Sequence, residues 1–323
     1  DLVGSLRVAN TGAAPTVGRT INAWGAQISE GGLQGYMPAR TVVFQGYVES
    51  WDFEWPSAKR GLVAVHAIDK LAILAQTDFD SRVREQLPGA RINRLLSAVA
   101  IPDGERAIDT GTEMLAAGTV TTNLLSHANQ AARSELGRFF ASGNGYATFH
   151  DRDHASQTAR CAVPQAILGD GNPDTGELPV LAPRPDYDSQ RIVGTVKGSR
   201  PGGEELSVSD ATALRRYWPQ TRPVATLLAD EDALLRVMRA VLARYKDPRF
   251  RIREVSIDPR RHPLLYREVA TREIGDRVEY RRRPDPETPA SVKTYTTHVT
   301  RIENRIQFDE RFSWRASYVL DAV

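Results

Sequence analysis

The chain has 323 residues, 41% of them hydrophobic and 25% charged, enough for two or three domains with buried cores of ordinary globular composition. With 42 basic and 40 acidic residues the formal charge is +2, which gives no electrostatic reason for a nucleic-acid partner or an acidic membrane surface. A single cysteine, Cys161, excludes an internal disulfide; no apolar run approaches the roughly 18 residues of a membrane span, and no signal-peptide pattern opens the sequence.

Residues 1–41 carry two short strand patterns, Leu2 to Ala9 and Ile21 to Ile28, with Gly31, Gly32 and Gly35 leading into the next segment. From Val42 to Ala75 the pattern is sharper. Trp51, Phe53 and Trp55 alternate with Ser50, Asp52 and Glu54, which predicts a strand with one buried aromatic face and one wet face. Pro56, Ser57 and Gly61 supply a turn, Leu62 to Ile68 a second strand, and Asp69 an N-cap for a short helix over Lys70 to Ala75.

Arg91 to Ala100 places Ile92, Leu95, Leu96 and Val99 at helical spacing, and Thr122 to Leu136 does the same with Leu125, Ala128, Ala132 and Leu136. Gly137 fits the residue after a helix end, and the Ser142-Gly143-Asn144-Gly145 turn predicts a hairpin between Arg138 to Ala141 and Tyr146 to His150. Residues 164–187 read as a linker, because five prolines alternate with three glycines. Arg191 to Val196 and Glu205 to Val208 read as strands. The clearest helix follows: Asp230 caps it, Leu234, Val237, Met238, Val241 and Tyr245 form its stripe, and Pro248 stops it. Strands are expected at Phe250 to Ile257, Ile274 to Tyr280, Tyr295 to Ile302 and Phe312 to Leu320.

Few residues carry a chemical pattern. His150 and His154 flank Asp151 and Asp153 as in a metal site, but on a continuing strand they lie more than roughly 12 Å apart, which favours a solvated strand end. Asp170 to Gly176 places oxygens at alternate positions like a calcium loop. The loop glycine is replaced by Thr175 and the closing glutamate by Leu181, so a solvated turn is expected. Cys161 lacks a neighbouring base. Between Val241 and Arg283 there are 13 basic and 7 acidic residues, read as solvated edge-strand charge rather than a nucleic-acid face. No catalytic, cofactor-binding or metal-ligating residue is assigned, and no cofactor is expected.

Composition and spacing reach only a β-rich globular protein. Beyond that, the stretches FQGYVESWDFEW and LVAVHAIDKLAIL, then DEDALLRVMRAVLARYKDP, IGDRVEY, YTTHVTRIENRI and FSWRASYVLDA, resemble phage minor tail proteins of the tail-tip or baseplate hub family. That family includes hubs of contractile-tailed phages and the N-terminal part of tail-associated lysins. The resemblance implies an α+β, β-rich fold with two related β-barrel domains and an inserted helix-plus-hairpin domain. The expected division is a first barrel region over 1–76, the insertion over 77–163, the linker over 164–187 and the second barrel region over 188–323, with helix 230–245 and strands returning to the first barrel.

The implied role is structural: a virion protein, made in the host cytoplasm, forming a ring that joins the tail tube to the tip around the lumen for DNA passage. Implied partners are two further copies in a homotrimer, a distal tail protein, a tape measure protein and other tail-tip proteins. Genomic DNA would pass without sequence-specific binding. The alternatives are a tail-associated cell-wall hydrolase component and a receptor- or carbohydrate-binding tail module. The first is disfavoured because the sequence stops at the last hub-like strand; the second requires an exposed platform from Trp24, Trp218 or Trp314.

Overall fold

The computed structural model describes residues 4–8, 20–24, 42–57, 60–172, 176–186, 192–217, 220–249, 251–283, 292–308 and 312–322. The class is α+β, as expected. The expected glycines at 31–35 and the tip residues Ala58 and Lys59 lie outside the described residues.

The first sheet contains β1 (Gly4–Val8), β2 (Thr20–Trp24), β3 (Val42–Ser57) and β4 (Arg60–Ile68), in the order β1-β4-β3-β2 with every pair antiparallel. Short α1 (Leu71–Gln76) follows, and Asp69 Oδ1 accepts a hydrogen bond from the Leu71 amide at 2.9 Å. The expected burial of alternate β3 aromatics holds only in part: Trp51 is half-buried, and the Trp55 side chain lies outside the described residues. Phe53 is 49% exposed.

The middle of the chain supplies β5 (Ser81–Val83), α2 (Pro88–Ala98), β6 (Arg106–Ile108), β7 (Gly118–Val120), α3 (Leu124–Ser134), β8 (Arg138–Ala141) and β9 (Ala147–His150). Pro88 opens α2, where its missing N–H leaves no helical bond unmade. Asn123 caps α3 by accepting from the Ser126 amide at 2.8 Å. The end of α3 differs from expectation by one residue. Leu136, not Gly137, takes the left-handed conformation (φ 65°), while the Gly137 amide bonds Ala132 O at 2.9 Å and the Leu136 amide bonds Arg133 O at 3.1 Å. Gly137 is needed for room instead: a Cβ there would lie 2.7 Å from His150 O.

Two one-turn helices, α4 (His154–Gln157) and α5 (Ala159–Ala162), lead to β10 (Ala166–Gly169), β11 (Leu178–Pro179) and β12 (Leu181–Asp186). The segment 164–187 is therefore not the expected linker. All three strands enter a seven-stranded sheet of order β11-β10-β17-β18-β19-β16-β12, with β16 (Arg251–Ile257), β17 (Arg277–Arg282), β18 (Lys293–Phe308) and β19 (Phe312–Ala322). Pro183 and Pro185 sit on edge strand β12, where a missing N–H breaks no inner ladder bond. Helix α8 (Pro263–Thr271), capped by His262 and opened by Pro263, packs Leu265 and Val269 onto this sheet against Val255, Trp314, Tyr318 and Leu320.

A third sheet, β14-β13-β15, joins β13 (Thr195–Ser199), β14 (Leu206–Ser209) and β15 (Thr221–Ala225). Between β14 and β15 lies α6 (Ala211–Arg216), and α7 (Glu231–Tyr245) packs on the sheet. Asp230 caps α7 as expected, accepting from the Asp232 and Ala233 amides. Leu234, Val237, Met238 and Val241 of α7 share one core with Ile92, Leu95, Leu96, Leu124 and Phe149 of the middle segment. At roughly 1.5–3 kcal/mol for each such side chain, this burial dominates the stability of the region. Helix α7 thus belongs with the middle segment rather than with the C-terminal sheet.

One topological feature recurs. Taken in chain order, β16, β17, β18 and β19 pair as β16-β19-β18-β17, the same arrangement as β1-β4-β3-β2. In each unit the first hairpin strand has 16 residues. Each carries one unpaired residue at its eighth position: Glu49 between the pairs Val48–Ala67 and Ser50–His66, and Thr300 between Val299–Leu320 and Arg301–Val319.

Candidate functional site

The most developed polar constellation lies where the first sheet, the β8–β9 hairpin and the seven-stranded sheet meet. A small cavity there is lined by Val42, Phe44, Gly143, Glu273, Ile302 and Asn304. Its floor is the turn between α8 and β17, where Gly275 takes a positive φ of 98° and an added Cβ would meet His150 Nδ1 at 3.1 Å.

Asp276 is the hub of this joint, with only 1% of its surface exposed. It accepts Arg160 Nε at 2.5 Å and Nη2 at 2.8 Å from α5, Arg272 Nη1 at 3.0 Å, and the Glu273 amide at 2.9 Å. Arg272 also donates to Glu268 at 2.7 Å on α8. Glu273 reaches across to the Gly143 amide at 3.5 Å, and burial pushes its carboxyl above the usual range while that amide pulls the other way. The network satisfies its charges one by one, so it fixes how the middle segment meets the seven-stranded sheet more than it adds stability.

His150 and His154 stand beside it. The expectation that a strand end separates them is corrected: the chain turns into α4 directly after β9, and the two rings stack 3.5 Å apart with an 11° tilt. His154 Nδ1 pairs with Asp109 Oδ2 at 2.7 Å, which also accepts the Asp151 amide at 3.0 Å. Burial, with His154 and Arg138 nearby, pushes His150 down to about 4, so it is neutral at pH 7. Asp109 is occupied by these partners, and among the described residues no three side chains are placed to hold a metal.

The remaining sequence candidates separate. Cys161 is buried, and burial pushes its thiol up, away from a nucleophile's range. Asp170 is described but 173–175 are not, so the calcium-like loop lies partly outside the described residues. Trp314 is 2% exposed and donates to Asn304 Oδ1 at 3.1 Å, which removes it as a platform; the Trp24 and Trp218 side chains lie outside the described residues. The basic stretch after Val241 is not edge-strand charge. Strand β17 is internal, and Arg260, Arg272, Arg281 and Arg283 pair with Asp258, Glu268, Glu279 and Glu177.

Sequence reasoning missed Asp276, Arg160 and the fully buried Arg91, which donates to Arg84 O at 2.9 Å and Ala116 O at 3.0 Å. The Glu268-Arg272-Asp276 spacing at i, i+4 was a usable signal; the Arg160 pairing, 116 residues away, was not.

No family model matches the sequence, and no curated protein matches it. Solved structures do. The tail protein from Neisseria meningitidis MC58 superposes with a TM-score of 0.58 at 14% identity, over 87% of this chain and 80% of that one. The 43 kDa tail protein of prophage MuSo2 from Shewanella oneidensis gives 0.57 at 16% identity, over 100% of this chain and 91% of that one. The chain has the fold of phage tail proteins.

Proposed function

We propose that the chain is a structural, non-enzymatic component of a phage or phage-like tail, and that it forms the hub ring at the tail tip. The observation that carries this reading is the repeated four-stranded unit, with its shared strand order and its bulge at the same position. Two related barrel walls per chain let three chains present six similar surfaces, matching a sixfold tail tube with a threefold ring. The joint around Asp276 ties the middle segment to the C-terminal unit. In this reading the middle segment, 77–163, lies toward the periphery, and the ring surrounds the lumen through which DNA passes. Its neighbours are a distal tail protein, a tape measure protein and other tip proteins.

Copy number in the intact particle, read from a cryo-EM map, tests this. Three copies in a closed ring at the tail end are expected. Six copies, or a position away from the tip, overturn the hub assignment.

A further inference from the structure

We infer that α7 is a two-ended contact between copies: the basic end of the helix in one chain receives the acidic end of α7 in the next. This deepens the ring reading above and rests on it, naming the surfaces through which the ring closes. Helix α7 has 15 residues and so spans about 22 Å.

At its C-terminal end three guanidinium groups surround one ring. Arg222 lies 4.6 Å, Arg251 5.4 Å and Arg244 6.0 Å from the centre of Tyr245. Arg251 is buried, with its Nη2 donating to Arg244 O at 3.3 Å and its Nε without a partner. Arg244 pairs with Asp321 at 2.9 Å and Lys246 with Asp210 at 3.2 Å, so those charges are partly answered. Arg222 is different. It is exposed on β15, it stacks on the ring, and among the described residues no carboxylate lies within ion-pair distance. A guanidinium held by its face keeps its rim N–H donors for an incoming carboxylate, and little entropy remains to be lost.

The other end is the complement. Asp230 is occupied in capping the helix, but Glu231 and Asp232 are exposed and make no ion pair among the described residues. The cation closest to them in sequence, Arg236, is taken by Glu113 at 2.9 and 2.7 Å. Acids at a helix start and bases at its end also complement the macrodipole. That effect does not require three guanidinium groups on one tyrosine, nor an exposed arginine fixed there without a carboxylate. The ring face of Tyr245 is covered by arginine, so it cannot stack a base, which disfavours a nucleic-acid occupant. A head-to-tail contact between unlike surfaces is the kind that closes a ring when its rotation permits.

Sedimentation equilibrium at low and high salt tests this on the whole chain, in four forms. These are the natural chain, Arg222→Glu, the pair Glu231→Arg with Asp232→Arg, and a chain carrying all three changes. The natural chain should self-associate more weakly as salt rises, and each reversal should weaken association by about tenfold or more. The combined chain should recover most of it. Arg222→Glu should melt like the natural chain, which separates lost contact from lost fold. A natural chain that stays monomeric at its solubility limit, or a combined chain that does not recover, overturns the proposal. So does duplex DNA binding that Arg222→Glu abolishes while self-association is unchanged. Three copies in the particle together with failed recovery would leave the hub reading standing and remove only this interface.

Discussion

The two four-stranded units share a strand order, a 16-residue first hairpin strand and a bulge at its eighth position, yet they are covered very differently. The C-terminal unit is extended by β12 on one side and by β10 and β11 on the other, and α8 closes a core that includes Val255, Val299, Trp314 and Tyr318. The N-terminal unit has four strands, and none of its described residues belongs to either buried core. Phe53 is exposed, and Trp51 Nε1 is buried without a hydrogen-bond partner. The same ladder is therefore backed by its own helix and core in one place, while in the other the described Val48 is buried outside both cores and Phe53 is exposed. Strand topology fixes how a sheet is wired; what covers its apolar face decides whether it stands alone.

The largest effect should come from placing a charge at matched positions. Val299 of β18 is fully buried opposite Leu320, and Val48 of β3 holds the corresponding register position opposite Ala67, buried but in neither core. Val299→Asp buries an unpaired carboxylate and should abolish soluble expression, a loss beyond about 4 kcal/mol. Val48→Asp should cost less, leaving both cores folded with a cooperative melt. Equal collapse of the two variants, by expression and calorimetry, would show that the units are equally built into the fold.

Truncation gives a graded version of the same contrast. Trp314→Ala removes a buried indole and its hydrogen bond to Asn304, and should cost about 3–5 kcal/mol. Denaturant unfolding measures it. A cost under about 1 kcal/mol would mean that α8 does not close the core as described.

Much of this was legible in the sequence, and what was not has physical reasons. Helix α7 was clear because a cap, a stripe and a stop coincide at Asp230, Val237 and Pro248. Strands β10 to β12 were hidden because the prolines that mark a linker are also tolerated on an edge strand. Helix α8 was overlooked although His262 and Pro263 mark its start. The stacked histidines were misplaced because the strand was carried one turn too far. The joint around Asp276 was not legible, since Arg160 reaches it only through the tertiary fold.

Two buried groups titrate with opposite sign. His298, on β18 and at the register position that Tyr47 holds on β3, is pushed down chiefly by burial. The unfolded chain takes up its proton at a higher pH than the folded one, so stability falls as pH drops below about 6.5. Glu135, fully buried at the end of α3, is pushed up to about 7 by burial against an ordinary 4.5. Here the folded chain holds the extra proton, so stability is fully present below about 4.5 and falls as pH rises toward 7, by roughly 2–3 kcal/mol. Glu135→Gln should flatten the second slope and His298→Asn should reduce the first, which His127 and His150 of the middle segment share, read by thermal melts across pH. A Glu135→Gln chain that keeps the full loss between pH 4.5 and 7 would remove that assignment.

The smallest effect on the free chain, and the one that sharpens the contrast most, is expected at Phe53. Its ring is half exposed on a strand that neither buried core includes, so Phe53→Ser removes little packing and should change stability by no more than about 0.5 kcal/mol. The aromatic ring nevertheless represents apolar surface that an assembled ring can cover, at about 25 cal/mol for each Å² buried. Phe53→Ser should thus melt like the natural chain and yet enter particles less well, measured by its occupancy against the natural chain in a mixed assembly. Equal occupancy would show that the uncovered face of the first unit stays uncovered. A large drop in melting temperature would show instead that the chain already covers it.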